Sequence, residues 1–452
     1  MADNLLDKAS ILLTPTASDN GSMLSVKPEN GDGDFTFSRG SAATRVNAQG
    51  LVENVQILSP ELVSNGNFSQ GGQDWTLGSG WSIGDGKAIA TDAAFGAQLV
   101  DDTTLEANKK YKVTFDISDY VKGNVRVGVG NVFSSEVSSN GSFTFIITSS
   151  NTNAFKAQTR AGGSGTTLSI TNISVIEITE DTNLPRIDYT DGCGVWLLEP
   201  QSTNLYLNSD TLATQSNATS ASTYTVSFYG TGTITFSGTH TGTLVGTGAN
   251  DRVSATFTAT SGTLVSTVSG TCTKGQLENL SSATSYIPTE GAASTRLQDI
   301  ANNSGNSTLI NSTEGVLYAE MASLADLTTQ RWISIGSGGN SNRVSVLFKS
   351  PTNVSCSVRA SSSAIYDTNF NIGTTTNNVK VAIRYKSSDF SFFVNGAKVN
   401  SQLSGALSFN SPLSELAFDS ADGGSKFFGK VKALAVYKEA LTDAQLQSLT
   451  TQ

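Results

Sequence analysis

Apolar and polar residues alternate along most of the chain, with the period of two that is typical of half-buried β-strands. In the stretches 111–117 and 379–385, Tyr, Val, Phe or Ile occupies every second position. Asn-Gly pairs at 140–141 and 395–396 are the dipeptides that favour tight hairpin turns. The pattern therefore predicts many short antiparallel strands joined by turns.

A helical spacing of apolar residues occurs at the C-terminus. Ala444, Leu446 and Leu449 supply the apolar residues of a short helical stripe, and Thr442 precedes them as a candidate N-cap. The pattern predicts one short helix at this end of the chain.

The strand-rich stretches fall into blocks separated by polar segments rich in Gly and Asn. The blocks are an extended segment with little core of its own at 1–60, a β-sandwich at 61–179, a small β domain at 211–298, a linker at 299–310 and a second β-sandwich at 311–452. We expect an all-β protein of several antiparallel β-sandwich domains of jelly-roll or lectin-like type, joined by extended segments.

Charge and composition exclude several classes of protein. The 452 residues carry a formal net charge of −10, whereas a nucleic-acid binder needs a basic face. No run of 18 apolar residues is present, so we expect no membrane insertion. The start of the chain lacks the basic and apolar regions of a secretory signal, and the three cysteines are far apart. These features favour assembly in a reducing cytosol.

Candidate catalytic chemistry is sparse. His240 is the single histidine, so we expect neither a His-rich metal site nor a Ser–His–Asp triad. Glycan depolymerases of sandwich fold use a close carboxylate pair on one strand, and the spacing Glu-x-Asp-x-x-Glu is absent. Glu177, Glu180 and Asp181 lie close together, but a solvated turn at a strand end explains them. We expect no catalytic residue, no metal and no cofactor, and hence no enzyme.

Three stretches carry the most distinctive sequence. They are FTFSRGSAATRVNAQGLVENV (Phe35–Val55), NLPRIDYTDGCGVWLLEPQSTNL (Asn183–Leu205) and QLENLSSATSYIPTEGAASTRLQD (Gln276–Asp299). The first two resemble a signature of structural proteins of tailed bacteriophages, chiefly fibre and tail proteins. The third resembles a run that leads into a C-terminal lectin-like domain in the same proteins. In many of those proteins the first two stretches are nearly contiguous. The resemblance therefore implies that residues 61–179 are an inserted module and that 180–210 complete the N-terminal framework.

The framework stretches contain three arginines and two acids that we single out for assembly. Arg39, Arg45 and Arg186 are the cations, and Asp188 and Glu199 are the acids. We expect buried ion pairs among them, within one chain or between chains, that hold the two stretches in register.

The inserted block resembles the carbohydrate-binding modules appended to glycan-degrading enzymes. The matching residues include ELVSNGNF (Glu61–Phe68), YKVTFDI (Tyr111–Ile117) and ITNISVIEI (Ile170–Ile178). The closing strand of that family usually has an Asp where this chain has Asn172, so a structural calcium is possible but not supported.

Two tryptophans of the inserted block are candidates for glycan contact. Trp75 and Trp81 flank a Gly-rich turn, and Gln73 and Asp74 lie beside them. Exposed indole rings offer sugars a flat apolar face, and neighbouring polar side chains bond the hydroxyls. The alternative is that one or both rings are core residues of the sandwich.

The last block resembles concanavalin-like sandwiches of laminin-G type. The matching stretches are FSFFVNGAKV (Phe390–Val399) and GKVKALAVYKEALTDAQLQSL (Gly429–Leu449). Such domains bind glycans, proteins or nothing. Trp332 and Tyr366 are weaker candidates for glycan contact, and a core position is the favoured interpretation for Trp332.

Together the resemblances imply a non-enzymatic structural fibre or appendage protein of a phage virion that displays lectin-like domains. The implied partners are other virion proteins, two further copies in a homotrimer, and host-surface polysaccharide. The implied location is the virion, after assembly in the cytoplasm of the host bacterium. A tail fibre is preferred, and a capsid head fibre or decoration protein is the alternative. A tail polysaccharide depolymerase and a spacer that binds nothing remain as further alternatives.

Overall fold

The computed structural model describes residues 5–160, 165–326 and 328–451. The described part of the chain divides into two compact units. The insert comprises the described residues of Gln56–Asp181, and the main unit comprises those up to Val55 together with those from Thr182 onwards. The N-terminal framework, the small β domain and the C-terminal sandwich thus lie in one unit, whereas the sequence predicted separate domains.

The main unit begins with short strands. A 3-10 turn at Leu5–Lys8 precedes β1 (Ile11–Leu13), β2 (Ser18–Asp19), β3 (Ser22–Met23), β4 (Phe35–Ser38), β5 (Thr44–Val46) and β6 (Val52–Asn54). Strands β2, β3 and β4 are neighbours in one small sheet, and β5 pairs with β6 as a hairpin.

The insert is a two-sheet sandwich. Its strands are β7 (Ile57–Glu61), β8 (Trp75–Leu77), β9 (Trp81–Gly84), β10 (Lys87–Ala93), β11 (Gln98–Asp101), β12 (Lys110–Lys122), β13 (Val125–Val129), β14 (Val132–Phe133), β15 (Gly141–Thr148), β16 (Lys156–Thr159) and β17 (Thr166–Glu180). One sheet has the order β15-β12-β17-β10-β9, with β7 also on β17, and the other has the order β14-β13-β16-β11-β8. The alternating residues Tyr111, Val113, Phe115 and Ile117 of β12 fill the core between the sheets, as the period of two predicts.

The chain then returns to the main unit. Its next strands are β18 (Ile187–Asp188), β19 (Val195–Leu198), β20 (Ser202–Asn204), β21 (Gln215–Thr219), β22 (Thr223–Gly230), β23 (Thr233–Gly238), β24 (Gly242–Val245), β25 (Gly248–Thr258), β26 (Gly262–Ser269), β27 (Cys272–Glu278), β28 (Ser294–Arg296) and β29 (Ile300–Asn302). Strands β21 to β27 form two small sheets, ordered β21-β26-β23-β24 and β25-β22-β27, around buried Tyr206, Phe228 and Leu264.

The last block contains ten strands and one helix. They are β30 (Glu314–Ser323), β31 (Arg331–Gly336), β32 (Arg343–Ser350), β33 (Asn353–Ala360), β34 (Ser363–Asn371), β35 (Val379–Lys386), β36 (Phe390–Val394), β37 (Ala397–Gln402), β38 (Glu415–Ala417), β39 (Gly429–Tyr437) and α1 (Asp443–Thr450). A five-stranded sheet of order β34-β33-β32-β31-β38 lies on one side of the sandwich. An eight-stranded sheet lies on the other, with the order β18-β19-β39-β30-β35-β36-β37 and β1 also on β39.

The framework is therefore part of the C-terminal sandwich. Ile11 of β1 pairs with Val436, and Trp196 of β19 pairs with Val431, so both framework halves extend the sheet through β39. Phe35 of β4 is fully buried in the same core. The N-terminal segment lacks a core of its own, as predicted, because its apolar residues complete the core of a distant segment.

The predicted linker at 299–310 instead contributes to the fold. Strand β29 pairs with β4, and the side chains of Ala301 and Ile310 are buried. The polar residues around them suggested a linker. In an edge strand, however, only the residues that face the core need to be apolar, so a largely polar segment can still form a strand.

The structure confirms Thr442 as the N-cap of the C-terminal helix. The Thr442 side chain accepts a hydrogen bond from the Gln445 backbone N–H, and the Gln445 side chain accepts one from the Thr442 backbone, which makes a capping box. Leu446 and Leu449 are buried against β35 and its neighbours. The prediction of an all-β antiparallel fold with one short C-terminal helix is confirmed. No helix among the described residues has the length and apolar character to cross a membrane.

Candidate functional site

Five buried side chains of the main unit form an arginine–carboxylate cluster. Arg186 contacts Glu199 at 2.5 Å between Nη1 and Oε2, and its Nη2 pairs with Asp299. Asp299 also accepts from Arg39 Nη1 at 3.0 Å, and Glu199 from Arg296 Nη1 at 2.8 Å. All five side chains are almost completely removed from solvent.

The carboxylates of the cluster are fully satisfied. Glu199 Oε1 accepts from the Ser285 backbone N–H at 2.7 Å, and Oε2 accepts from the Ser285 hydroxyl at 2.7 Å besides its two arginines. The Asp299 oxygens accept from Arg39, from Arg186 and from the Glu199 backbone N–H. With every carboxylate oxygen occupied, the cluster is built for structure rather than for proton transfer.

Burial and the neighbouring charges shift the pKa values of the cluster residues. Burial opposes ionisation of Glu199, but Arg296 and Arg186 hold its pKa down at about 2. Burial lowers the pKa of Arg39 to about 10, and repulsion from Arg186 adds to that shift. Burial also opposes the charge on Arg186, yet attraction to Asp299 and Glu199 leaves its pKa above the ordinary value. Glu199, Arg39 and Arg186 therefore stay charged at neutral pH despite their burial.

The cluster joins all three distinctive stretches. Arg39 lies in the first stretch, Arg186 and Glu199 in the second, and Arg296 and Asp299 in the third. Of the ion pairs that the sequence predicted among the framework residues, Arg186–Glu199 is present, while Arg39 is paired with Asp299, which the sequence did not single out. Arg296 and Asp299 were missed, although both end the third stretch, in the run TRLQD.

Arg45 and Asp188 do not join the cluster. Arg45 pairs with Glu53 at 2.8 Å across the β5–β6 hairpin, and both side chains are about one-third exposed. Asp188 is buried, but it accepts backbone N–H groups, from Val46 at 2.8 Å and Thr190 at 3.0 Å. Arg45 therefore pairs with an acid outside the predicted set, and Asp188 accepts backbone hydrogen bonds where an ion pair with a framework arginine was predicted.

The two tryptophans of the insert lie in its core. Trp75 is 8% exposed and packs against Phe68 and Phe155, and Trp81 is 7% exposed. Trp75 Nε1 donates to the Asn65 carbonyl at 3.2 Å. Neither ring offers an open face, so the predicted stacking platform is not present at these residues, and the alternative of a core position holds.

Gln73 and Asp74 stay near the surface beside these rings. The Asn65 side chain donates to the carbonyls of Gly71 and Gln73, each at 3.0 Å, and so shapes the loop. Asp74 adopts a left-handed conformation with φ of 69° before the chain enters β8. The turn keeps Gln73 and Asp74 near the surface, while the neighbouring rings of Trp75 and Trp81 are buried.

Other residues singled out in the sequence have structural contacts. His240 stacks on Phe257 with ring centroids 4.0 Å apart. Glu177 pairs with Lys109 at 3.0 Å, and Asp181 with Lys110 at 2.6 Å. Within the described ranges no group of three His, Cys, Asp or Glu side chains is arranged to hold a metal ion.

A groove of about 310 Å³ lies on the five-stranded sheet of the C-terminal sandwich, on the face turned away from the core. We call it the sheet groove. It is lined by Gln330, Trp332, Arg343, Leu347, Lys349, Ser355, Cys356, Ser357, Arg359, Asp367, Thr368 and Asn369. Most of these residues occupy alternate positions of β31 to β34, while the residues between them, such as Val344 and Val354, enter the core.

Trp332 forms the apolar part of the sheet groove. Its ring is covered by the guanidinium of Arg343, whose Cζ lies 4.3 Å from the ring centroid. Trp332 is 8% exposed, so it is buried as the sequence predicted, although it lies outside the largest hydrophobic cluster and lines the groove. Tyr366 faces the core instead, and its hydroxyl donates to Asn400 Oδ1 at 3.0 Å.

Several polar atoms of the sheet groove lack a partner among the described residues. They are Trp332 Nε1, Ser355 Oγ and Arg343 Nε. These three atoms are almost completely buried, so the polar groups that the groove offers to solvent are those of its more exposed residues, such as Asp367 and Asn369.

Comparison with known proteins matches most of the C-terminal sandwich to a protein family. Residues 319–447 match the family described as the concanavalin A-like lectin/glucanases superfamily. The C-terminal sandwich is therefore a concanavalin-like domain, as the sequence predicted. A search of curated proteins found no match.

Solved structures with partial similarity include several sialidase domains. One is the CBM40 domain of the Ruminococcus gnavus IT-sialidase bound to α2,3-sialyllactose, with 16% identity, a TM-score of 0.29, and coverage of 32% of this chain and 86% of that chain. Another is the leech intramolecular trans-sialidase, with 16% identity, a TM-score of 0.28, and coverage of 31% and 23%. The K499G mutant of NanB sialidase from Streptococcus pneumoniae has 11% identity, a TM-score of 0.27, and coverage of 32% and 26%. At these values the likenesses indicate neither a ligand nor an activity for this chain.

Proposed function

We propose that this chain is a non-enzymatic structural protein of a tailed bacteriophage virion, and that its C-terminal domain attaches the particle to glycans on the host surface. The observation that carries the attachment role is the sheet groove, a polar cleft with one large aromatic ring in a domain of the concanavalin A-like lectin/glucanases superfamily. The resemblance of the three framework stretches to phage fibre and tail proteins supports the virion role.

The chemistry of the sheet groove suits sugars. Ser357 and Asn369 present hydroxyl and amide groups that can bond sugar hydroxyls, and the guanidinium of Arg343 lies over the ring of Trp332 beside them. The groove lies across four neighbouring strands, and its volume of about 310 Å³ is at the lower end of the range of ligand pockets.

Binding fits the groove better than cleavage. Asp367 is the single carboxylate among the residues that line it, whereas glycoside hydrolysis commonly uses two, roughly 5–10 Å apart. We therefore propose a binding domain and keep the tail depolymerase as the less favoured alternative.

The arginine–carboxylate cluster supports a role for the framework in holding the particle-attached part of the chain rigid. We propose that the framework contacts other virion proteins and that the protein assembles as a homotrimer. Three copies would convert weak single-site sugar binding into firm attachment through multivalency. A tail fibre is our preference, and a capsid head fibre or decoration protein is the alternative.

Steric blocking of the sheet groove tests the attachment role. Purified full-length protein, labelled with a fluorophore, is titrated onto host cells and onto the same cells stripped of surface polysaccharide. Asn369→Trp places a bulky ring at the exposed rim without disturbing the core, and Ser357→Trp fills the floor. We expect both to reduce adsorption about tenfold or more, since an occluded site loses its hydrogen bonds to sugar.

The matched control is Ser401→Trp on the exposed surface of β37, in the opposite sheet of the same sandwich. We expect it to bind like the unaltered protein. Adsorption that is equal on stripped and intact cells, or that survives both groove variants when circular dichroism shows them folded, would contradict the proposal.

A further inference from the structure

Two arginines of the sheet groove stand directly opposite each other on neighbouring strands. Arg343 of β32 and Arg359 of β33 are register partners. Like charges in this position destabilise a sheet. A sheet that places two guanidinium groups together therefore carries a local cost that a bound anion would offset.

Neither arginine forms an ion pair with an acid within the described residues. Arg343 Nη1 donates to Asn340 Oδ1 at 2.6 Å and to the Ser420 carbonyl at 3.2 Å, and both acceptors are uncharged. The side chain of Arg359 has no hydrogen bond or ion pair with any described residue. Both guanidinium groups thus keep donors for a ligand.

The sheet groove is basic although the chain is acidic. Lys349 joins Arg343 and Arg359 in the lining, and Asp367 is the one acid opposite them. The whole chain carries a formal net charge of −10. A positive groove on a chain of negative net charge concentrates the attraction for anions at one place.

The pKa of Arg343 reflects the closeness of the Arg359 guanidinium. Burial lowers this pKa, and repulsion from Arg359 lowers it further, while attraction to Asp422 and Asp367 acts in the opposite direction. An anion placed between the two guanidinium groups would remove the repulsion.

We propose that the sheet groove recognises an acidic polysaccharide through carboxylates carried on its sugars, with Arg359 and Arg343 as the carboxylate-binding residues. The planar guanidinium fork matches a carboxylate with two parallel hydrogen bonds. Ser357 and Asn369 bond the hydroxyls of the same sugars. This inference rests on the proposed glycan-binding function and adds the class of glycan.

Matched polymers that differ only in charge test the inference. Full-length protein is titrated by calorimetry at low ionic strength with polygalacturonate, with alginate and with hyaluronan. Each polymer is also prepared with its carboxylates reduced to alcohols. We expect at least one acidic polymer to bind about tenfold or more tightly than its reduced form, with an affinity that falls as salt is raised.

Single substitutions assign the effect to the sheet groove. Arg359→Gln removes an unpaired charge and should weaken the acidic polymer about tenfold, while Asp367→Asn removes the opposing acid and should strengthen it. The control Lys398→Gln removes an exposed cation of β37, which pairs with Asp443 at 3.0 Å, and should leave affinity unchanged.

The outcomes separate this inference from the proposed function. Equal binding of acidic and reduced polymers, blocked by Asn369→Trp, would overturn the acidic specificity and leave glycan binding intact. Equal losses in Arg359→Gln and Lys398→Gln would show unspecific charge attraction and overturn the site. Failure of every acidic and reduced polymer to bind would overturn both.

Discussion

Arg186 forms a buried ion pair with Asp299, which follows it by 113 positions in the chain. The pair links the second distinctive stretch to the end of the third, and Arg39 reaches the same carboxylate from the first. One aspartate thus ties together three segments that are far apart in sequence.

Asp299→Asn should destabilise the main unit strongly. The substitution leaves the buried guanidinium groups of Arg39 and Arg186 without their shared carboxylate, and breaking a buried pair in this way costs roughly 3–5 kcal/mol. Calorimetry of the full-length protein, with the transitions of the two units resolved, measures the loss. Glu53→Gln, which breaks the half-exposed pair with Arg45, is the control and should cost less than about 1 kcal/mol. Similar small effects from both substitutions would contradict a structural role for the cluster.

Acid should destabilise the main unit through Glu199. Its pKa in the folded chain is about 2, below the ordinary value of 4.5. Because the folded-state pKa is the lower one, the ionised carboxylate stabilises the fold above pH 4.5, and this contribution is lost as the pH falls towards 2. Melting of the main unit at stepwise lower pH should therefore show a decline in that window. The decline should be weaker in Glu199→Gln, and an identical decline in that variant would assign it to other acids.

Trp75→Ala should weaken the insert and leave glycan binding unchanged. The ring is buried against Phe68 and Phe155, so its removal leaves a cavity and costs roughly 3–5 kcal/mol. Phe95→Ala is the control, because Phe95 is an exposed aromatic side chain of the same unit. The melting transition of the insert and the adsorption of the full-length protein are measured together. A loss of adsorption without a loss of stability would restore Trp75 as a contact residue for sugar.

The insert should be removable without unfolding the main unit. Ile57 and Glu180, near its two ends, are register partners on neighbouring strands, so the ends lie about 5 Å apart. Each unit also has its own buried core. Replacing residues 57–180 with a short Gly-Ser linker should preserve the melting transition of the main unit. Disappearance of that transition would show that the main unit depends on the insert.

Local patterns were enough to predict most of the strands and the helix. The alternation in β12 and β35 has the period of a half-buried strand, and Thr442 has the chemistry of an N-cap. The framework arginines Arg39 and Arg186 were identified because they lie in distinctive stretches. Asp299 was missed because a buried partner is chosen by the fold, and no periodicity links positions so far apart.

The sheet groove could not be predicted from the sequence. Its lining comes from alternate residues of four strands, and their cross-strand register decides that Arg343 meets Arg359. No single strand carries this information. The burial of Trp75 and Trp81 was equally hidden, because an aromatic residue beside a turn can face either the core or the solvent.

The most direct test of the proposed virion role is immunogold electron microscopy of particles purified from cultures that produce this chain, using antibody raised against residues 311–452. We expect gold at the tail, where the C-terminal domain would meet the host surface. Gold over the capsid would instead establish the head-fibre alternative. Particles that carry no gold, under conditions in which the antibody binds the purified protein, would contradict the account.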